Sequence, residues 1–414
     1  MRDKPHKKKI GSNEVFSAED IRDDFPVLKD IVYLDSAATS LSPRPVVEAQ
    51  MDAEYHYRAN VGRGVHRLGR LATHMFEASR NFIKQFFGGD DGTLAFTRNT
   101  TEGTNIIAHG MSWNKTDRII VPLQEHHSNI LPWFALENEG KIAGVDVVGG
   151  IDGIVKVEDI EAAITKDTRM VAVGHASNVF GTVAPVKEIA KLCHDHDILL
   201  MVDGAQSAPH LPIDLKELGC DYFSFSGHKM LGPMGIGGLW ISPDALLPQN
   251  LYAGGGMVGK VTGHTFTTAG GAGQYEAGTP NVIGAIGLAE ACKYLTNLGM
   301  GSVAAHSEQL ARKAVHELAE IPGVHVYTPE HAHLTGSVSF TVDGVHPHEV
   351  AYFLDESAAI MVRSGEHCCQ PLMHRLIPGD NGGGTVRASV YCYNMEDDID
   401  LLVATVEEIA RMVK

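Results

Sequence analysis

The sequence predicts an α/β protein with an open sheet, and three observations carry that reading. Short apolar runs end in small polar turns, helical patterns lie between them, and two of the runs carry reactive residues at their ends. The run Ile198-Leu199-Leu200-Met201-Val202-Asp203 closes on a carboxylate and is followed by Gly204-Ala205-Gln206-Ser207. The run Cys220-Asp221-Tyr222-Phe223-Ser224-Phe225-Ser226 is followed by Gly227-His228-Lys229. Open α/β sheets build their sites at strand ends. Asp203 and Lys229 are therefore expected to leave neighbouring strands on one edge.

That pair has a chemistry. A lysine at a strand end is well placed to form a Schiff base with an aldehyde cofactor. Pyridoxal phosphate (PLP) needs such a lysine, and it needs a carboxylate that keeps its pyridine nitrogen protonated. Composition bounds the rest. A chain of 414 residues buries a large core and suits two or three domains. The formal net charge of −17 argues against a nucleic-acid partner. No apolar run is long enough for a bilayer. The start Met1-Arg2-Asp3-Lys4-Pro5-His6-Lys7-Lys8-Lys9 is basic with no apolar stretch behind it, and reads as a mobile tail, not a signal peptide. Six cysteines without a CxxC pair suggest thiols in a reducing, cytoplasmic setting.

Val202-Asp203-Gly204-Ala205-Gln206 followed by Ser226-Gly227-His228-Lys229 resembles the class V aminotransferase family of fold-type I PLP enzymes. Within it the chain is most similar to the group II cysteine desulfurase and selenocysteine lyase branch, which feeds iron–sulfur cluster assembly. The resemblance runs from about Phe25 to the C-terminus. It implies a large PLP-binding domain over 31–290 with a mostly parallel seven-stranded sheet. A smaller C-terminal α/β domain follows over 291–414, and residues 1–30 form a tail and arm. It also implies a homodimer, L-cysteine or L-selenocysteine as substrate, and a sulfur-acceptor protein as partner. The same family holds aminotransferases and epimerases, which would not need the cysteine discussed below, and a catalytically quiet sulfur-transfer scaffold is a further alternative.

Taken in order, Phe16 to Leu28 reads as a helix and arm, with Ser17 and Asp20 at its start and Pro26 near its end. Ile31 to Leu34 is a strand, and Asp35-Ser36-Ala37-Ala38-Thr39 is a loop of small residues that lets a ligand approach the backbone. The resemblance places Ala37 in the substrate pocket. In Asn60-Val61-Gly62-Arg63-Gly64-Val65-His66 the family usually has a histidine where this chain has Gly62. Thr93 to Thr97 is a strand, and Arg98-Asn99-Thr100-Thr101 opens a helix whose hydroxyls and free N–H groups suit an anion. Thr100 and Thr101 are assigned to the PLP phosphate. The strand Arg118 to Val121 leads to Glu125-His126-His127-Ser128. The resemblance stacks His126 on the cofactor ring, where it also moves protons. His127 has no assigned role, and the pair lacks the further ligands of a metal site.

Met170 to Val173 is a strand leading to Asn178, which resembles the family residue that bonds the PLP phenolic oxygen or the substrate carboxylate. Cys193, Cys220 and Cys292 read as core. Gln206, Ser226 and His228, beside the central pair, complete the implied cofactor set. Gly237 to Ser242 is a strand, and the glycine- and threonine-rich stretch Thr262 to Gly273 reads as a mobile loop. Thr279, in Gly278-Thr279-Pro280-Asn281, resembles the threonine that reaches the phosphate of the partner subunit. The helix Val282 to Leu298 bridges to the C-terminal region, where Gly336 to Val342 and Ile360 to Arg363 are strands and Asn394 caps a last helix.

The discriminating stretch is Arg363-Ser364-Gly365-Glu366-His367-Cys368-Cys369-Gln370-Pro371. It places a cysteine on a loop, where neighbouring Arg363 and His367 favour the nucleophilic thiolate. Cys368 falls where the resembling desulfurases carry the cysteine that takes the substrate sulfur as a persulfide. Cys369 is an addition that reads as silent, as a resolving thiol or as a sulfur relay. Glu366 stands where relatives often have histidine and makes the loop less basic. Arg387, on the strand Thr385 to Ser389, presents a guanidinium fork suited to an α-carboxylate. The resemblance assigns it that role, with Arg363 beside it.

Overall fold

The computed structural model describes residues 16–62, 64–378 and 383–412; the basic start Met1–Lys9 and Arg63 lie outside them. The apolar runs form a seven-stranded sheet from β1 (Thr93–Thr97), β2 (Arg118–Pro122), β3 (Gly144–Val148), β4 (Thr168–Gly174), β5 (Leu199–Asp203), β6 (Tyr222–Ser226) and β7 (Gly237–Ile241). Their spatial order is β1-β7-β6-β5-β4-β2-β3. Strand β7 runs antiparallel to both neighbours and the other pairings are parallel. The expected mostly parallel α/β fold is therefore present.

Near-continuous apolar strands mean that both sheet faces are covered. Side chains alternate across a strand, and the alternation sorts them into two cores. Ile120, Val171, Val173, Leu200 and Val202 join one apolar cluster, while Ile119, Val121, Met170, Ala172 and Met201 join another on the opposite face. Within the sheet Gly174 pairs with Asp203, and Asp203 with Ser224. This register brings the ends of β4, β5 and β6 level, so the loops that follow them open on one edge.

A second sheet, of four antiparallel strands, holds Val324–Val326, Ser337–Val342, Thr385–Ser389 and Arg363–Gly365 in that order. It packs with the helices Met300–Ala319, Pro347–Ala358 and Glu396–Met412 around its own apolar cluster. Ile360 to Arg363, expected as one strand, is two. Ile360–Met361 pairs in parallel with Val32–Tyr33, and the antiparallel strand begins at Arg363. A bridge between Asp35 and Ser389 continues this pairing and holds the loop of small residues against the second sheet.

Two local expectations change. The stretch read as a mobile loop contains an antiparallel ribbon, Val258–Thr262 against Thr265–Thr268, turning through Gly263 at φ +59°. Its threonines and valines are good strand formers, and two residues close the turn. Asn394 does not cap the last helix. Its Oδ1 accepts from the Tyr391 N–H, and Asp398 accepts from the Met395 N–H.

Candidate active site

The loops from the three strand ends, with segments of the second sheet, enclose a cavity of about 350 Å³. Lys229 lines it from a 3₁₀ turn, Gly227–Lys229, directly after β6. Asp203 lines it from the end of β5 and is buried. The two reactive strand ends therefore meet, as expected. Burial pushes the Lys229 pKa down to about 8, with the Asp203 carboxylate pulling the other way. Burial raises the pKa of Asp203, opposed by the Ala205 N–H on Oδ1 and by Lys229. A desolvated lysine of this kind has a far larger free-amine fraction near neutral pH than an ordinary lysine, which a nucleophilic amine requires.

The helix Thr100–Gly110 starts at the cavity, and Asn99, Thr100 and Thr101 line it. Free N–H groups at a helix start favour an anion. Thr100 Oγ1 lies 2.7 Å from Ser226 Oγ, which also accepts from the Thr100 N–H at 2.9 Å. Thr101 Oγ1 lies 2.7 Å from Ser128 Oγ. His228 lines the same cavity, with its pKa lowered to about 4 by burial and then by Lys229. Gln206 also lines it, but its Nε2 donates to the Ala37 carbonyl at 2.8 Å and so anchors the loop of small residues.

His126 precedes the helix His127–Asn138. Its Nδ1 accepts the Ser128 N–H at 3.1 Å, so the neutral ring carries its proton on Nε2. Burial, then the charge of Lys229, holds its pKa at about 3, so this ring is neutral at physiological pH. Glu125, which the sequence reading passed over, also lines the cavity and is buried. It accepts from the Gly174 N–H and from Asn129 Nδ2, each at 2.7 Å.

The far end of the cavity is basic. Arg387 is buried; its Nη1 donates to the Asn178 carbonyl at 3.0 Å and its Nη2 to Asp35 Oδ1 at 3.1 Å. Its Nε is buried without a hydrogen-bond partner. Arg363, largely exposed, stands 3.7 Å from Asp35 Oδ2. Cys368 is exposed and lines the cavity. Two main-chain ties hold its loop. Asn178 Nδ2 donates to the His367 carbonyl at 2.7 Å, and the His127 N–H donates to the Cys368 carbonyl at 2.8 Å. His127, given no role by the sequence, is thus a loop anchor, and its ring accepts from the Gln370 N–H. Glu366 accepts from Gln370 Nε2 at 2.6 Å and lies 3.0 Å from His374 Nε2.

The cavity thus gathers Ala37, Thr100, Thr101, His126, Asn178, Asp203, Gln206, Ser226, His228, Lys229, Arg363, Cys368 and Arg387. It does not gather Thr279, which is exposed and absent from its lining, or Cys369, which is wholly buried. Cys369 packs with Leu123, Val179, Phe180, Leu372 and Met373, and its thiol reaches the Glu125 carbonyl at 3.4 Å. Among the described residues no cluster of three or more His, Cys, Asp or Glu is placed to hold a metal ion. Asp35 and Glu125 were the residues missed. Each sits in a loop directly after a strand, the one signal that marked them.

Residues 32–402 match the family model described as Aminotransferase class-V. A probable cysteine desulfurase of Halalkalibacterium halodurans is 42% identical over 406 residues, covering 95% of this chain and 98% of that protein. A probable cysteine desulfurase of Methanothermobacter thermautotrophicus is 40% identical over 396 residues, with 95% and 98% covered. Among solved structures, an apo cysteine desulfurase from Thermococcus onnurineus superposes with a TM-score of 0.91 at 37% identity, covering 96% of this chain and 99% of that one. The cysteine desulfurase CsdA of Escherichia coli, in an S-sulfonic acid form, gives 0.88 at 34% identity, covering 97% and 100%.

Proposed function

The chain belongs to the class-V aminotransferase family, and from that premise we propose that it is a PLP-dependent cysteine desulfurase. It takes the sulfur of L-cysteine, releases L-alanine and carries the sulfur as a persulfide on Cys368. The observation that carries this reading is an exposed cysteine in the wall of the cavity that holds Lys229 and Asp203. A transaminase needs the last two residues and has no use for the first.

The residues fit PLP. Lys229 would hold its aldehyde, Asp203 its pyridine nitrogen, and His126 would lie on its ring. Thr100, Thr101, Ser226 and His228 would surround its phosphate end, where a helix start supplies N–H donors, and Gln206 would line the cofactor from the loop after β5. When bound, PLP supplies an electron-accepting ring that makes the substrate Cα–H acidic. The residues of the chain do the rest. The Lys229 amine would be the base for the Cα proton, since its depressed pKa leaves it partly unprotonated near pH 8. Arg387, Arg363 and Asn178 orient the α-carboxylate. His126, protonated on Nε2, would serve as a hydrogen-bond donor in the same cavity. The Cys368 thiolate forms an S–S bond as the substrate Cβ–S bond breaks. The electron pair of the broken bond stays with the carbon skeleton, which takes up protons and leaves as L-alanine.

The exposure of Cys368 supports passing the sulfur to an acceptor protein of iron–sulfur cluster assembly. The exposure of Thr279 supports a homodimer in which each subunit lends this residue to its partner's phosphate site. Among the described residues no helix is long and apolar enough to cross a membrane, and we place the protein in the cytoplasm. The test is to incubate PLP-loaded protein with L-cysteine and a reductant, and to measure alanine and sulfide for wild type, Cys368→Ala and Cys369→Ala. Alanine lost only in Cys368→Ala supports the assignment and its nucleophile. No alanine from wild type, despite a lysine-bound cofactor band, overturns the assignment.

A further inference from the structure

Asp35 is an unassigned carboxylate between the two arginines at the far end of the cavity. Its Oδ1 accepts from Arg387 Nη2 at 3.1 Å, and its Oδ2 stands 3.7 Å from Arg363 Nη1. The guanidinium of Arg387 is therefore not a free fork. Nη1 is bound to the Asn178 carbonyl, Nη2 to Asp35, and the buried Nε has no hydrogen-bond partner. A buried arginine with no counter-ion is strongly unfavourable, and Asp35 meets that need before any ligand does. Two cations facing one resident anion leave a single net positive charge, which matches one carboxylate.

We propose that Asp35 is a positioning residue that acts through Arg387. It is a resident counter-ion that fixes the guanidinium and limits how tightly the cavity holds the substrate carboxylate. This rests on the reading above, in which Arg387 and Arg363 receive that carboxylate. The bonds from Nη1 and Nη2 fix the plane of the guanidinium, so the incoming acid meets a positioned positive charge and not a free fork. The negative charge of Asp35 opposes the incoming acid at the same time. A site whose positive charge is partly offset in this way releases the carboxylate of alanine more readily than an unopposed pair of arginines would, and it disfavours a ligand with a second acidic group nearby.

The test is a spectral titration of the PLP-loaded protein with L-alanine and with L-alanine methyl ester, which differ in the carboxylate charge. The ratio of the two affinities is the readout, because a general loss of packing moves both ligands together. Asp35→Asn keeps an acceptor oxygen for Nη2 and removes the charge. It should raise the preference for the acid over the ester by about tenfold, the scale of one nearby unit charge. Asp35→Ser, which also removes the charge, must move the ratio in the same direction. A ratio that is unchanged or lower in Asp35→Asn, with Arg387→Gln lowering the wild-type preference, overturns the role of Asp35 alone. A preference for the acid that keeps its wild-type size in Arg387→Gln, which removes the charge, overturns the carboxylate assignment and the role of Asp35 with it.

Discussion

Asn178 holds the loop of the nucleophile: its Nδ2 donates to the carbonyl oxygen of His367, 2.7 Å away, one residue before Cys368. The loop needs holding. His367 and Cys368 lie consecutively in the left-handed region, at φ 51° and 56°, which residues with a side chain rarely adopt. The His127 N–H on the Cys368 carbonyl is the second tie. Both ties reach across from the large sheet to the second, so the position of the thiol depends on how the two parts meet.

Asn178→Leu keeps the volume and removes the donor. Persulfide formation on Cys368 should slow by about tenfold to a hundredfold, as expected when a reacting group is displaced by an ångström. Alkylation of Cys368 by iodoacetamide should quicken as its loop loosens. Rapid-quench mass spectrometry and alkylation kinetics measure the two. Both rates at the wild-type value would remove Asn178 from any role in placing the thiol.

Cys369 is not an accessible thiol. It is wholly buried in an apolar cluster, and burial pushes its pKa up to about 12. A buried, protonated thiol is neither a resolving nucleophile nor a relay. Cys369→Ala should leave alanine formation within about twofold and cost about 1 kcal/mol of stability through the small cavity left behind. Denaturant melts and alanine assays check this. Loss of turnover with unchanged stability would restore a chemical role.

The central sheet was legible because its strands are buried on both faces and read as continuous apolar runs. The exception is β3, Gly144-Val145-Asp146-Val147-Val148, an edge strand carrying a charged residue. Asp146 there is paired with Arg118 of the adjacent strand, a partner that the local pattern does not reveal. Lys229, Asp203 and Thr100 could be found because strand ends and helix starts are local features. For Asp35 and Glu125 that local signal was present but did not single them out. Each is one acidic residue after a strand, and what makes it matter is a contact with a distant segment: Arg387 for Asp35 and Gly174 for Glu125. Sequence placed Arg387 in the site for its guanidinium, but two of its nitrogens are already occupied by neighbours.

The depressed pKa of Lys229 predicts how the protein captures its cofactor. Only the free amine adds to an aldehyde. The rate of PLP capture by cofactor-stripped protein should therefore rise with pH through about 8 and level off above it. Asp203 pulls this pKa upward, so Asp203→Asn should move the inflection to lower pH. Stopped-flow absorbance follows capture. An inflection near that of an ordinary lysine, unmoved by Asp203→Asn, would mean that the ammonium is not desolvated.

Glu125 is the second buried carboxyl at this edge of the sheet. Burial pushes its pKa up to about 8, opposed by the N–H donors of Asn129 and Gly174, and the charge of Asp203 adds to the rise. In the unfolded chain it ionises near 4.5. Below that pH both states are protonated. Between about 4.5 and 8 the unfolded state gives up its proton and the folded state does not, so this group lowers stability progressively as pH rises. Glu125→Gln cannot ionise. Its amide can still bond Gly174, and it donates to Asn129 Oδ1, which is buried without a partner in the wild type, once that side chain turns. The variant should gain on the wild type between pH 5 and 8, by a total of about 2–4 kcal/mol on the scale of 1.4 kcal/mol per pKa unit. Urea melts of both proteins across that range measure the gap. A gap that widens with pH means Glu125 is held neutral in the folded protein. A gap that stays constant means that burial does not raise the pKa of Glu125 and that it is ionised across this range.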